Sequence, residues 1–241
     1  MADVSASLVR FAVTTGQPVP DGLRSAVHGL HAPPPGTASG TTDTPSPAAT
    51  SAPADGTGLE KCLAALRSAY PPEDARTYVL EAAAALTHSG VHPLVAATAA
   101  VAANRNAARA AEATVLGCEV ACRLAASLGV RPDALAVVGA ALAGSTAPTS
   151  GLHALGLAAT QSTTVSAGDD ERDEVTALRA ALAAADGLEA ALLGERGLTA
   201  PPHPLEGRRG LLALLSPEAE PRALTDNLGT RWLAEDVLRT T

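Results

Sequence analysis

Isoleucine is absent from this chain of 241 residues, lysine occurs once, at Lys61, and aromatic residues make up only 2% of it. A core with no isoleucine and almost no rings has to be assembled from alanine, leucine and valine. Alanine and leucine head the helix-propensity ranking, and small side chains let helices approach closely, so the composition favours helix packed on helix. Cysteine is also scarce. Three cysteines, an odd number in a chain of this size, argue against a disulfide framework and fit a reducing cytoplasm. Long apolar runs are missing too. Arg, Asp, Glu, Gly or Pro interrupts each one well before the ~20 residues that a membrane span needs, so no membrane partner is expected. The amino end carries Asp3 and has no basic region followed by an apolar stretch, so no secretory signal is expected. A net charge of -8 speaks against a nucleic-acid partner, which would require clustered Arg and Lys. With no Walker loop, dinucleotide fingerprint or Ser-His-Asp set, no cofactor is expected either.

What the chain does have is apolar periodicity. Hydrophobic residues make up 46% of it, enough for one substantial core or for a domain with an appendage. Residues 1–30 read as two short N-terminal helices, the first over 4–13 with Leu8, Phe11 and Ala12 at helical spacing, the second starting at Pro20 and Asp21. Residues 31–58 are rich in Pro, Gly, Ser, Thr and Ala and read as a flexible linker; their irregular prolines do not form repeated PxxP units. From 59 to 241 the pattern is helical, with segments expected at 59–69, 73–87, 94–128 (two helices divided near 104–106), 133–143, 150–161, 174–194, 205–215 and 222–239. No strand alternation and no fixed repeat is visible. The expected architecture is an all-α bundle of about eight to ten helices.

Several strings recur in an order that resembles one known family. They are GLHALGLAATQ at 151–161, DGLEAALLGERGLTAP at 186–201, LEG at 205–207 and LGTRW at 228–232. HPLVAATAA from His92 and LGCEVACRL at 116–124 precede them. In sequence order these pieces resemble the helical domain of the MmgE/PrpD family, which includes 2-methylcitrate dehydratase, cis-aconitate decarboxylase and iminodisuccinate epimerase. The resemblance implies a fold that is helical and dimer-forming. It also implies a chemistry that removes a proton beside a carboxylate, then eliminates water or carbon dioxide or returns the proton to the other face. Such a reaction needs a positioned base, cations for carboxylates and donors for enolate charge. Members of the family deploy a DDTH-like loop, a GxHPT-like turn and a Lys-x-x-His. Here the paired aspartates are missing before His92, Arg131 stands where the turn has histidine, and Thr176 and Arg179 replace the lysine and histidine. The chain stops soon after Trp232, where family members continue into a smaller α+β domain that covers the site.

The candidate site residues are therefore His92 and His88 as catalytic groups, with Arg131, Arg179 and Thr176 as substrate-binding groups. Imidazole titrates near neutral pH and suits a base; a loop histidine capping the next helix is the plainer alternative for His92. His88 and His92 are four apart, but no third ligand stands at a suitable spacing, so no metal site is expected. Arginine cannot act as a base near neutral pH and can grip a carboxylate bidentately; surface pairing with Asp133 or Glu174 is the alternative. Asp186 and Glu189 share one helical face and read as a solvated stripe, Cys118 and Cys122 as small buried residues, and Trp232 as a packing anchor. Two functions remain open. One is a divergent lyase or isomerase acting by dehydration, proton abstraction or cyclisation on a small carboxylated or acyl metabolite, of the kind handled in specialised biosynthesis. The other is a non-catalytic helical dimerisation or partner subunit, or half of a split enzyme whose lid domain is a separate subunit. A homodimer is expected under both.

Overall fold

The computed structural model describes residues 3–31, 58–71, 74–162 and 173–239. Eleven α-helices and no strand occur among them: α1 Val4–Val13, α2 Asp21–His28, α3 Gly58–Ala69, α4 Ala75–His88, α5 Pro93–Arg105, α6 Ala110–Leu128, α7 Ala136–Gly144, α8 Pro148–Gln161, α9 Asp173–Glu195, α10 Leu211–Leu215 and α11 Glu235–Arg239. Residues 32–57, the body of the expected linker, lie outside the described part.

Local chemistry sets most helix ends. Asp3 caps α1 by accepting the Ala6 N–H at 2.9 Å, and Asp74 caps α4 by accepting the Arg76 N–H at 2.9 Å. Pro93 opens α5 at a position where its missing N–H costs nothing, and Gly129 ends α6 with a φ of 67° that disfavours any residue bearing a Cβ.

Helix α7 is the centre of the bundle. All nine of its residues are buried, and α5, α6, α8 and α9 pack around it. Such a helix needs a thin surface. A Cβ on Gly117 of α6 would lie 2.5 Å from the Gly139 carbonyl oxygen of α7, and one on Gly187 of α9 would lie 2.5 Å from the Ala140 Cβ. Backbones thus meet where rings and branched side chains could not fit. The alanine-rich composition is what permits this contact. Helices α1 and α2 add Val4, Leu8, Val9, Phe11, Leu23 and Val27 to the same core, and Trp232 packs on Phe11 with ring centroids 5.8 Å apart.

Two expected helices are much shorter in the structure. Over 205–215 only Leu211–Leu215 is α-helical, because Leu211 and Leu212 donate to the carbonyls of Pro204 and Leu205 and close a turn containing Gly207 and Gly210. Over 222–239 there is a short 3-10 turn, Pro221–Leu224, then irregular chain, then α11. The cause lies on α6. Arg123, with 3% of its side chain exposed, donates to the carbonyls of Leu224 (3.1 Å), Asp226 (2.8 Å), Asn227 (3.3 Å) and Arg231 (2.7 Å), which an uninterrupted helix would have used itself. Asn227 and Gly229, at φ 53° and 83°, turn the chain around the guanidinium. Glu119, fully buried, accepts Arg123 Nε at 2.6 Å with one oxygen and the Ala234 N–H at 2.9 Å with the other. All five Arg123 donors are thereby engaged.

No single helix among the described residues is long and apolar enough to cross a membrane; residues 107–128 with 132–144 pass only as a pair bent by 118°.

Candidate active site

The break between α4 and α5 forms one wall of a cleft. Helix α4 ends at His88, Gly90 turns the chain at φ 98°, and Pro93 starts α5. His88, His92 and Thr176 line this cleft, whose volume is about 450 Å³. A narrow pit bounded by Pro93, Asp133, Thr176 and Arg179 adjoins it, and beyond the pit a hollow of about 200 Å³ is lined by Asp133, Gln161, Arg179 and Asp186. Arg131 borders this region through its ion pair with Asp133, Nε to Oδ1 at 3.1 Å. The five residues expected at the site therefore gather at one end of the bundle, from the α4–α5 turn, the 3-10 turn Pro132–Leu135 and the amino-terminal part of α9.

His92 occupies the N-cap of α5, where its Nδ1 accepts the Leu94 N–H at 3.2 Å. This is the capping geometry weighed as its plainer alternative. Burial pushes the pKa of the ring down, Asp133 pulls it part of the way back, and Arg131 adds to the lowering. Near neutral pH the ring is uncharged, and because Nδ1 is an acceptor its proton sits on Nε2. Protonating Nδ1 would break the cap. His92 is thus better built to donate from Nε2 than to take up a proton. A neutral donor of this kind can stabilise an oxyanion as it forms. His88, the last residue of α4, is exposed.

The two arginines converge on a carboxylate that the sequence offered only as one of two pairing partners. Asp133 has 7% of its side chain exposed and lies 3.1 Å from Arg131 Nε and 3.9 Å from Arg179 NH2. Its position two residues after Arg131, across Pro132 in a 3-10 turn, was the available signal. Both guanidiniums face Asp133, so an incoming carboxylate would have to share them. Thr176 lies one turn before Arg179 on α9 and borders both cleft and pit.

Of the other residues weighed from sequence, only Asp186 borders these depressions, in the hollow of about 200 Å³. Cys118 and Cys122 are buried on α6, with thiol pKa values raised by burial, that of Cys122 to about 12. Asp186 and Glu189 stand on α9; Glu189 pairs with Arg76 at 3.4 Å, and burial together with Glu189 raises the Asp186 pKa. Gly151 and Gly156 are packing positions, where a Cβ would strike Val9 and Ala200 respectively. A larger hollow, about 530 Å³, lies between α8 and residues 201–214 and contains none of the expected site residues.

No curated protein and no solved structure matches the chain. The sequence profile of the MmgE/PrpD N-terminal domain does, over residues 78–224, from within α4 to the turn that Arg123 holds. That span includes every residue of the cleft named above, together with α5, α6, α8 and α9 around α7. The chain belongs to the MmgE/PrpD family, whose members are dehydratases or lyases.

Proposed function

We propose that the chain is a divergent MmgE/PrpD lyase or isomerase that binds a small carboxylated or acyl metabolite in the cleft between His88, His92 and Thr176. The observation carrying this reading is the gathering of all five expected residues, from three separate segments, around adjoining depressions. Arg131 and Arg179 hold a substrate carboxylate by sharing it with Asp133, and Thr176 donates its hydroxyl. His88, exposed at the cleft, takes the proton from the carbon beside the carboxylate. The C–H electron pair moves into an enolate, whose oxygen accepts the Nε2–H of His92. In a dehydration the pair then expels the β-hydroxyl, which leaves as water with the proton carried by His88. In an isomerisation the proton returns to the opposite face.

Incubation in heavy water with citrate-like and β-hydroxy acids, followed by deuterium NMR, tests this. The wild-type chain is expected to exchange the α-proton, His88→Ala to abolish exchange, and His92→Asn, which keeps a helix cap but loses Nε2, to slow it by about 10²-fold. Exchange in no substrate, or equal exchange in wild type and His88→Ala, refutes it.

One observation favours a second reading. Both arginines already face Asp133, the arrangement of a structural ion-pair cluster. On that reading the bundle is a non-catalytic dimerisation or partner subunit, or supports a separately encoded lid domain. Light scattering on the eluted chain separates the cases: a monomer at micromolar concentration counts against the subunit role, and a homodimer is compatible with both.

A further inference from the structure

We infer that Asp3, His203 and Glu206 form a binding site for a divalent transition-metal ion of the zinc type, away from the cleft. The three ligand atoms lie within 4.8 Å of one another, although they come from the start of α1 and from the turn that follows Pro202. His203 Nδ1 is 3.4 Å from Glu206 Oε1 and 3.8 Å from Asp3 Oδ1. Ligands held about 2.0–2.1 Å from a tetrahedral zinc are separated by about 3.3 Å, so only small side-chain movements bring all three into bonding range. The donor set of one imidazole and two carboxylates suits zinc better than calcium or magnesium, which prefer oxygen alone.

A second feature points the same way, namely two carboxylates brought together with His203, when protonated, as the only cationic side chain paired to them among the described residues. Glu206 has 3% of its side chain exposed, yet among the described residues neither it nor Asp3 pairs with an arginine or lysine. The Glu206 carboxylate is instead oriented by Ser5, through the backbone N–H at 3.2 Å and the hydroxyl, while Asp3 Oδ1 is fixed by the Ala6 N–H. Both carboxylates are thus aimed by hydrogen bonds that leave lone pairs free, as supporting groups do around metal ligands. His203 and Asp3 are about half exposed, which leaves an open side for entry and for a fourth, water ligand. No ligand spacing marks the site in the sequence, because the ligands stand at positions 3, 203 and 206. The ion would fasten the first helix to the segment between α9 and α10.

Titration calorimetry of the metal-stripped full chain with zinc chloride tests the inference. One equivalent is expected to bind, with Kd at or below about 10 µM. His203→Ala, a change at a half-exposed ring, is expected to weaken binding at least about tenfold. Asp3→Asn, which preserves the helix cap while removing a charge, is expected to act in the same direction. His88→Ala and His92→Asn should leave the affinity unchanged. Zinc at about one hundred times Kd is expected to raise the unfolding midpoint of the wild type by roughly 5–10 °C, and that of His203→Ala far less. No binding by the wild type, equal binding by His203→Ala, or loss of binding in His88→Ala overturns the inference.

Discussion

Replacing Arg123 with methionine is expected to destabilise the whole bundle and to release the segment 224–234. Methionine keeps the length and apolar stem of the side chain while removing five donors. Glu119 is then left fully buried with the Ala234 N–H as its remaining partner, and the carbonyls of Leu224, Asp226, Asn227 and Arg231 lose the group that gathered them. Removing one member of a buried ion pair costs about 3–5 kcal/mol, most of it from the charge left behind. In a chain of this size each kcal/mol lowers the thermal midpoint by about 2–4 °C, so the fall should be about 6–20 °C. The double variant Glu119→Leu/Arg123→Met removes both charges. It should recover a large part of the loss, since the two deletions are coupled through one contact. Thermal denaturation by circular dichroism measures both quantities. Hydrogen exchange at 224–234 reports whether the segment opens before the core. A loss under about 1 kcal/mol for Arg123→Met, or a double variant as unstable as the sum of the singles, would refute this account of the pair.

Three further outcomes follow from the structure. Burial lowers the folded-state pKa of both His92 and His31, so below an unfolded value of roughly 6.5 the unfolded chain takes up protons that the folded chain resists. Stability should therefore drop as pH falls from about 6.5 towards the folded values, and His92→Asn should reduce the slope of urea midpoint against pH, whereas an unchanged slope would contradict the argument. Gly117→Ala forces a Cβ towards the Gly139 carbonyl oxygen and should cost about 1–3 kcal/mol in urea unfolding despite the better helix propensity of alanine; a neutral or stabilising effect would show that α6 and α7 can separate freely. An aromatic disulfide reagent at pH 8 should titrate exposed Cys62 in the folded chain and spare Cys118 and Cys122 until denaturant is added; rapid reaction of all three in native buffer would show that α6 is less buried than described.

Amphipathic spacing and punctuation made most of the bundle legible in the sequence. The start of α5 at Pro93 and the division between α5 and α6 at Asn106 follow from the proline and from the two asparagines, Asn104 and Asn106. Failure came at the carboxyl end, where the helix expected over 222–239 runs through Thr225, Asp226, Asn227 and Gly229, all poor helix formers, and where the chain gives its carbonyls to a side chain about a hundred positions away. Local periodicity carries no information about such a partner. The same holds at the cleft. Motif positions point to its residues, but the cap that sets the His92 tautomer and the carboxylate shared by Arg131 and Arg179 depend on how α5, α9 and the 132–135 turn meet in space.

The burial of α7 on every side bears on folding order. At nine residues it is shorter than the ~12–15 at which isolated helices become even marginally stable in water. It also offers solvent no polar side chain, so its early formation on its own would expose only apolar surface. It is expected to condense only as α5, α6 and α9 close around it, which makes its small side chains candidates for the transition-state nucleus. The polar rim bearing His88, Arg131 and Arg179 would form afterwards and bear little on that barrier. Substitutions there could therefore accumulate at little kinetic cost to folding, which is how a chain could retain this architecture while its reacting groups are exchanged.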